Sequence, residues 1–451
     1  MKKNIIEKAN RLVKEFEKAS SSQLEDIFNG VKKNQKKISD DVKKATKIVG
    51  PGVITGFSDD DPSGIGTYSV TGAKYGLGLN WLVPLQIPLM IAIQEICARI
   101  GISTGHGLAG NIKKFYSKKI LIPVVALLVL TNIFNIGVDI SAMSASLKLV
   151  IGGNLVFWAI LITLVIILLE VFISYRVYAN FLKWLTIFLL TYLLTVFYLP
   201  QNWLEIGRSL FTFNWRFTSD YIATIVAILG TTISPYLFFW QTSEEVEENI
   251  KDKTISEKFI NPKRISRMRW DTVLGMMFSQ IIALSIVITC ATVLNKNGIT
   301  NIASAQDAAS ALKPLVGDMA GLFFAIGIVG AGLLGIPVLA GSAAYALSEA
   351  FGWKEGLFHK FKEASGFYGI IIFSILCGLG INFIGISPIR GLFYSAVLNG
   401  IVAVPLIAII MKISNSSQIM GNQKNKIWSN LFGWLTFAIM LVAVVAMFIY
   451  L

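Results

Sequence analysis

Eleven long apolar runs divide this chain, and they restrict it to folds that lie within a lipid bilayer. A run of about 20 apolar residues can cross the hydrocarbon layer as a single helix. The runs lie near residues 46–73, 80–101, 120–150, 154–172, 179–200, 219–248, 270–295, 319–349, 369–386, 388–411 and 427–450. Charged residues make up only 15% of the chain, whereas a soluble domain carries about 25%. The sequence therefore predicts an all-α integral membrane protein.

The basic residues are unevenly shared between the two sides of the predicted membrane. With the N-terminus in the cytoplasm, 33 of the 40 lysines and arginines fall on the cytoplasmic side. Such a bias sets the orientation of a membrane protein. The net charge of +13 is therefore explained by topology and does not indicate a nucleic-acid partner. We predict a multi-pass protein of a prokaryotic plasma (inner) membrane, with its C-terminus outside, the lipid bilayer as its partner and no obligate protein partner.

The chain is predicted to consist of four parts. Residues 1–45 form a basic cytoplasmic tail, 46–200 a first repeat of five helices, 201–413 a second repeat, and 414–451 an eleventh helix. The tail has apolar residues near helical spacing with lysines between them. It is interpreted either as an amphipathic helix lying on the membrane or as a solvated tail, and the pattern does not separate the two.

Groups that most enzyme sites require are scarce. The two histidines, His106 and His359, fall in predicted loops, and the three cysteines share no spacing typical of metal ligands. The sequence also contains no catalytic triad, phosphate loop or cofactor fingerprint. We therefore predict a protein that is not an enzyme and that needs no cofactor.

The first span contains groups that a continuous membrane helix does not tolerate. Asp59, Asp60 and Asp61 stand before Pro62, with apolar sequence on both sides. A proline inside a helix removes a donor and clashes with the preceding turn. One carboxylate at the bilayer centre costs about 2.5–3.5 kcal/mol on insertion scales. We predict a break at Pro62, with the acids beside water, a cation or a protein partner; a reentrant loop with the acids at the surface is the alternative.

The sixth span has a similar interruption. Pro235 lies mid-span beside small hydroxyl residues, among them Thr231 and Ser234. Spans one and six hold matching positions in the two predicted five-helix halves. Broken helices at matching positions of inverted halves point to a transport site near the membrane midplane. Unwound backbone at such a site offers carbonyl oxygens to a cation.

Five segments of this sequence form a set of motifs: Gly-Pro-Gly at 50–52, Asp61-Pro62, the segment 72–76, the loop 101–105 and the segment 230–236. In order and spacing they resemble the NRAMP family of divalent-metal transporters, as a divergent prokaryotic branch. The resemblance covers about residues 46–412. It implies the leucine-transporter fold, in which two inverted five-helix repeats alternate access to a central site and an eleventh helix follows.

The resemblance also implies a set of substrate-binding residues around the two breaks: Asp61, Ser58, Gly64, Thr231, Ser234 and Tyr236. The family's asparagine ligand is replaced by Gly64, and its methionine by Ser234. A thioether is a soft ligand, and its loss leaves only oxygen. An all-oxygen site suits a hard divalent cation such as Mg²⁺, with Mn²⁺ as the second candidate.

The two other acids of the first span have a separate expected role. Asp59 and Asp60 are expected to attract a hydrated dication without touching it. The alternative is that they pair with nearby polar groups or face an aqueous vestibule.

The groups that the family uses for proton movement are largely missing. Tyr236 and Gln241 stand at its two histidine positions, and Ala142 replaces its glutamate, while Asp139 keeps the aspartate. Tyrosine and glutamine do not titrate near neutral pH. We therefore expect weak or absent proton coupling, with Asp139 as a remaining proton route. Asn399 in span ten is expected to face the site.

Other polar residues in the spans receive structural interpretations. Glu95 precedes Arg99 by four residues, the spacing of a helical ion pair. Asn132 and Asn135 are interpreted as helix-packing groups. The glutamates that end span six are interpreted as a solvated helix end, with an acidic funnel as the alternative: Glu244, Glu245, Glu247 and Glu248.

Two other functions remain open at this point. The same fold hosts many solutes, so the chain could carry an amino acid or an organic cation. It could also be a membrane sensor or scaffold that transports nothing, with residues 1–45 as the signalling part.

Overall fold

A computed structural model of this chain describes residues 50–173, 190–251 and 262–450. The architecture below is that of the unit Pro51–Leu451. The predicted tail 1–45 lies outside the described residues, and so does most of predicted span five.

The described residues form helices joined by loops and short 3₁₀ turns. In chain order the helices are α1 (Pro51–Asp59), α2 (Pro62–Tyr75), α3 (Leu82–Thr104), α4 (Leu108–Phe115), α5 (Lys118–Ile151), α6 (Leu155–Phe172), α7 (Leu190–Tyr198), α8 (Trp203–Ser209), α9 (Ser219–Thr232), α10 (Pro235–Lys251), α11 (Pro262–Val293), α12 (Ala305–Ser310), α13 (Lys313–Val316), α14 (Ala320–Phe351), α15 (Ser365–Ile381), α16 (Pro388–Asn415), α17 (Ser417–Met420) and α18 (Ile427–Tyr450).

Eight helical stretches of the described chain are long and apolar enough to cross a membrane. They are Leu82–Thr104, Lys118–Ile151, Leu155–Phe172, Ser219–Ile250, Pro262–Asn297, Lys313–Phe351, Pro388–Asn415 and Ile427–Tyr450. Predicted span one is divided between α1 and α2, and predicted span nine corresponds to α15, which has 17 residues. The protein is thus a multi-pass membrane protein, while the total of eleven crossings and the placement of the termini stay predictions.

Each of the two predicted breaks lies next to its proline. Helix α1 ends at Asp59, and α2 begins at Pro62 with Asp61 as its N-cap. Helix α9 ends at Thr232, and α10 begins at Pro235. Proline is favoured at the first position of a helix because the amide it lacks would have no partner there. One proline in each span therefore ends one helix and starts the next.

Helix α1 packs against α11 with backbone almost touching backbone. A Cβ added to Gly56 would lie 2.3 Å from the backbone of Gly275, and one added to Gly275 would lie 2.2 Å from the carbonyl oxygen of Gly52. The amide of Gly52 also donates a hydrogen bond of 2.7 Å to Oδ2 of Asp271 on α11. Only glycine fits these positions, so the sequence fixes how closely the two helices approach.

Helix α5 runs through the core and packs against α14, α15 and α16. Its polar face includes Asn132, whose Nδ2 donates to the carbonyl oxygen of Leu339 at 2.9 Å and to Oγ of Ser342 at 2.7 Å. Because both acceptors belong to α14, this asparagine joins two long helices, as the packing interpretation predicts.

Two predictions about charged residues in spans two and six have different outcomes. The ion pair is confirmed, since Nε of Arg99 lies 3.1 Å from Oε1 of Glu95. The solvated helix end is wrong, because Glu244, Glu245 and Glu247 are buried.

The structure gives a reason for the burial of Glu247. The loop after α14 folds back over the end of α10, and the amide of Leu357 donates to Oε1 of Glu247 at 2.5 Å. The hydroxyl of Tyr345 on α14 donates to the same oxygen. A carboxylate that accepts two hydrogen bonds from protein groups can be buried, because these donors replace water.

Candidate cation site

The two helix breaks lie side by side in the centre of the described bundle. The hydroxyl of Tyr236, in the first turn of α10, donates to the carbonyl oxygen of Ser58 at 2.8 Å. The hydroxyls of Ser63 on α2 and Thr231 on α9 lie 3.4 Å apart. The structure therefore brings residues of the first and sixth spans together at one place.

Asp61 is held at this junction by neutral donors. Its Oδ1 accepts hydrogen bonds from Oγ of Ser63 at 2.7 Å and from the amide of Gly64 at 2.9 Å. Its Oδ2 accepts from the hydroxyl of Tyr236 at 3.1 Å. Asp61 is only 1% exposed. Each of these donors orients the carboxylate without neutralising its charge, so the charge remains available to a cation.

Two helix C-termini also end at the junction. Helix α1 ends at Asp59 and α9 ends at Thr232, and the last carbonyls of a helix carry its partial negative charge. The α9 carbonyls of Gly230 and Thr231 accept from Oγ of Ser234 at 2.8 and 2.7 Å. Two negative helix ends beside a carboxylate favour a positive charge between them.

The position of Gly64 faces the sixth-span break. A Cβ placed on Gly64 would lie 3.2 Å from the carbonyl oxygen of Asp59 and 3.4 Å from Oγ1 of Thr231. A side chain at this position would therefore enter the junction. Because glycine has no side chain, the backbone and hydroxyl oxygens around this position remain accessible within the junction.

Asp59 and Asp60 share one hydroxyl on α11. Oγ of Ser279 donates to Oδ2 of Asp59 at 2.5 Å and lies 3.3 Å from Oδ1 of Asp60. Both acids are buried. This arrangement corresponds to the alternative in which these acids pair with nearby polar groups. Sequence reasoning missed Ser279, although Ser279-Gln280 is a polar pair that interrupts an apolar span.

Two further predicted residues bind side chains of other helices. Oε1 of Gln241 accepts from Oγ1 of Thr55 at 2.6 Å, and its Nε2 donates to Glu245 at 3.2 Å. Oδ1 of Asn399 accepts from Nδ2 of Asn135 at 2.9 Å. Gln241 therefore lies beside the first half of the broken span one, and Asn399 lies against α5.

Asp139 on α5 is the fourth buried acid of this region. It is fully buried, and the charge of Asp61 acts on it. Within the described chain no three side chains of the histidine, cysteine, aspartate and glutamate types gather in a way that could hold a metal ion. A cation at the junction would therefore be bound by one carboxylate and neutral oxygens.

Comparison with known proteins identifies the fold and its family. The family described as "Natural resistance-associated macrophage protein-like" matches residues 52–450. This chain belongs to the Nramp family. The match extends over nearly all of the unit that contains the two breaks.

One relative and two solved structures are similar to this chain. "Divalent metal cation transporter MntH" of Klebsiella pneumoniae (strain 342) is 25% identical over 402 residues, which cover 87% of this chain and 91% of that protein. The manganese transporter of Eremococcus coleocola, solved with an aromatic bis-isothiourea compound, superposes with a TM-score of 0.71 at 15% identity, covering 89% of this chain and 85% of that chain. MhsT, in complex with L-phenylalanine, gives a TM-score of 0.59 at 13% identity, covering 88% of this chain and 98% of that chain.

These likenesses confirm the predicted all-α leucine-transporter fold and the resemblance to the Nramp family. One of these two structures is a manganese transporter and the other was solved in complex with L-phenylalanine, and at these identities the likeness shows the fold alone.

Proposed function

We propose that this Nramp-family chain is a secondary transporter or uniporter of a divalent metal cation, which moves by alternating access between the two repeats. The observation that carries the proposal is Asp61, a buried carboxylate at the junction of two broken helices whose contacts are all neutral donors. A buried charge needs a partner. Here the transported cation is that partner, as substrate and not as a resident cofactor.

The oxygen chemistry of the junction supports a hard ion such as Mg²⁺, with Mn²⁺ second. Ser58, Thr231, Ser234 and Tyr236 contribute carbonyl and hydroxyl oxygens close to Asp61. Mg²⁺ keeps several of its waters and needs few direct protein ligands. A site with one carboxylate and no sulfur provides little of the soft character that favours transition metals.

Proton coupling of the family type is proposed to be weak or absent. Tyr236 uses its hydroxyl to hold Asp61 and Ser58, and Gln241 is bound to Thr55 and Glu245. Neither side chain exchanges a proton near neutral pH. Asp139 remains as a proposed proton route.

The test is dication binding and uptake by the variant Asp61→Ala. In purified protein we expect calorimetric Mg²⁺ binding to disappear, and in liposomes we expect dication uptake to stop. A matched control is Asp220→Asn, because Asp220 is an exposed acid of α9 that pairs with Lys74 at 2.9 Å, away from the junction. This control should bind and transport like the unmodified chain.

Two results of the same experiment would contradict the proposal. Uptake by Asp61→Ala at the unmodified rate would remove the site assignment. Strong dication-driven acidification of the liposome interior, recorded with an enclosed pH dye, would show that protons move with the metal.

A further inference from the structure

The segment between α8 and α9 exposes a row of aromatic side chains, and residues 211–218 are called the aromatic strap below. Phe211, Phe213, Trp215 and Phe217 stand at every second position, with polar residues between them. Each of the four side chains is between 59% and 76% exposed. A contiguous apolar patch of this kind marks a site that contacts another protein or a membrane.

Contacts with two neighbouring elements hold the strap in place. The ring of Trp81, just before α3, lies 5.0 Å from that of Phe213 and 5.2 Å from that of Trp215, measured between centroids. Side chains two residues apart share one side of an extended segment, so both rings can reach the same partner. The hydroxyl of Tyr221 on α9 also donates to the carbonyl oxygen of Asn214. The strap is therefore a defined part of the fold.

Three span ends fix the position of the strap along the membrane normal. Trp81 immediately precedes α3, the strap continues directly into α9, and the ring of Phe217 stacks on that of Tyr450 at the end of α18, with 6.1 Å between centroids. Each of these helices belongs to a stretch long and apolar enough to cross a membrane. The strap therefore lies at the boundary between hydrocarbon and water, where aromatic side chains are favoured.

The contact with α18 also places the strap at the edge of the bundle. Side chains along α18, among them Val442, Phe448 and Ile449, are exposed. In a multi-pass membrane protein such an apolar face contacts lipid. Because Phe217 lies against this helix, the strap reaches from the central α9 to a span that borders the bilayer.

Two arginines give the strap a basic character. Arg208, in the last turn of α8, and Arg216 are exposed, and neither forms an ion pair within residues 50–173, 190–251 and 262–450. The acid that follows the strap, Asp220, is paired with Lys74 at 2.9 Å. A guanidinium group matches the geometry of a phosphate. The charge of the strap therefore complements the phosphates of a lipid surface at the same depth.

We propose that the aromatic strap and Arg208 form a docking surface for phospholipid headgroups. The aromatic rings insert between headgroups and acyl chains, and Arg208 and Arg216 bind lipid phosphate. The strap leads into α9, whose far end lies at the junction. Lipid binding therefore holds the start of the sixth span at a set depth in the bilayer. The docking itself does not rest on the proposed transport function.

The depth of the strap is tested by fluorescence of the full chain in vesicles of brominated phosphatidylcholine. Lipids brominated near the headgroup should quench Trp215, so Trp215→Phe should lower the quenched part of the tryptophan emission. The matched control is Trp240→Phe, because Trp240 is fully buried and out of reach of lipid. This control should keep the quenched emission of the unmodified chain. Lipids brominated at the ends of the acyl chains should quench Trp215 less.

The basic residues are tested by titrating the purified chain in detergent with phosphatidylglycerol. The double variant Arg208→Gln with Arg216→Gln should weaken lipid binding at least about tenfold. The matched control is Lys148→Gln with Arg390→Gln, which removes two exposed basic residues of α5 and α16. This control should bind the lipid like the unmodified chain.

Three outcomes would overturn the proposal. The first is an equal quenched emission in Trp215→Phe and the unmodified chain, and the second is an equal loss of phosphatidylglycerol binding in the two double variants. The third is a dimer in detergent that Trp215→Ser separates, without quenching of Trp215 by lipid, which would show that the strap binds a second copy of this chain. Because no dication is present, all of these results are independent of the Asp61→Ala result.

Discussion

Ser234 gives the proposed dication site its chemical character. Its hydroxyl donates back to the carbonyls of Gly230 and Thr231, so its lone pairs are the only part of the side chain that a cation can use. An oxygen at this position favours hard ions, whereas a sulfur favours soft ones. A single side chain therefore offers a way to change ion preference without altering the helix break.

Ser234→Met should shift preference from Mg²⁺ toward Mn²⁺. The thioether adds a soft ligand, so we expect the ratio of Mn²⁺ to Mg²⁺ affinity to rise at least about tenfold, or about 1.4 kcal/mol. The ratio is measured by competition for binding to purified protein. Ser234→Leu adds similar bulk without sulfur and controls for packing, since Ser234 is fully buried. Equal ratios in the two variants would show that sulfur chemistry plays no part.

Individual residues differ in how far the sequence could reveal their roles. The breaks beside Pro62 and Pro235 were predictable because each proline stands beside polar residues within an apolar span. Proline alone was not a sufficient signal, since Pro88 and Pro337 lie inside continuous helices. The bonds from Tyr236 to Ser58 and Asp61 were not, since they join residues more than 170 positions apart through the packing of two helices. The role of Ser279 was hidden for the same reason, as nothing local links α11 to the acids.

At the scale of helices, the contact between α1 and α11 depends on glycine. Gly56 and Gly275 meet backbone to backbone, and Gly52 occupies the next turn. Small residues in such contacts let membrane helices approach closely. The sequence shows these glycines, but their partners follow only from the folded arrangement, because α1 and α11 are about 200 residues apart in the chain.

Gly56→Ala should destabilise the protein. The added methyl group would lie 2.3 Å from the backbone of Gly275, which cannot move aside as a flexible side chain can. Overpacking of this kind costs about 1–3 kcal/mol, visible as a lower melting temperature in detergent. Gly369→Ala on α15 is the matched control, since no atom lies within 4 Å of its added Cβ. A melting temperature as high as that of the control would refute the close contact.

At the scale of the whole molecule, the loop between α14 and α15 carries a carboxyl whose burial should make stability depend on pH. Oε2 of Glu355, in the loop between α14 and α15, is buried without a hydrogen-bond partner in the described chain. Burial, together with repulsion from Glu349 and Glu247, raises the pKa of Glu355 from 4.5 to about 9. The unfolded chain ionises this group near its ordinary value. Its contribution to stability is therefore fully present below about pH 4.5 and is lost as the pH rises toward 9.

Glu355→Gln should remove that loss. We expect the melting temperature of the variant to exceed that of the unmodified chain by a few degrees at pH 8, and the two to converge near pH 4.5. Glu363→Gln serves as the control, because Glu363 is exposed and a hydrogen bond from His359 lowers its pKa. The control should show no gain at pH 8. A variant of Glu355 that melts no later than the unmodified chain at pH 8 would show that the loop does not bury this carboxyl.

The glycine contact between α1 and α11 also limits how the transporter can open. A short helix that ends at a break can change its tilt only if it can slide along the helices packed against it. Here the backbone of α1 is in close contact with that of α11, and the amide of Gly52 donates a hydrogen bond to Asp271. The two segments are therefore expected to move together, so a movement of α1 about the break in the first span would carry α11 with it.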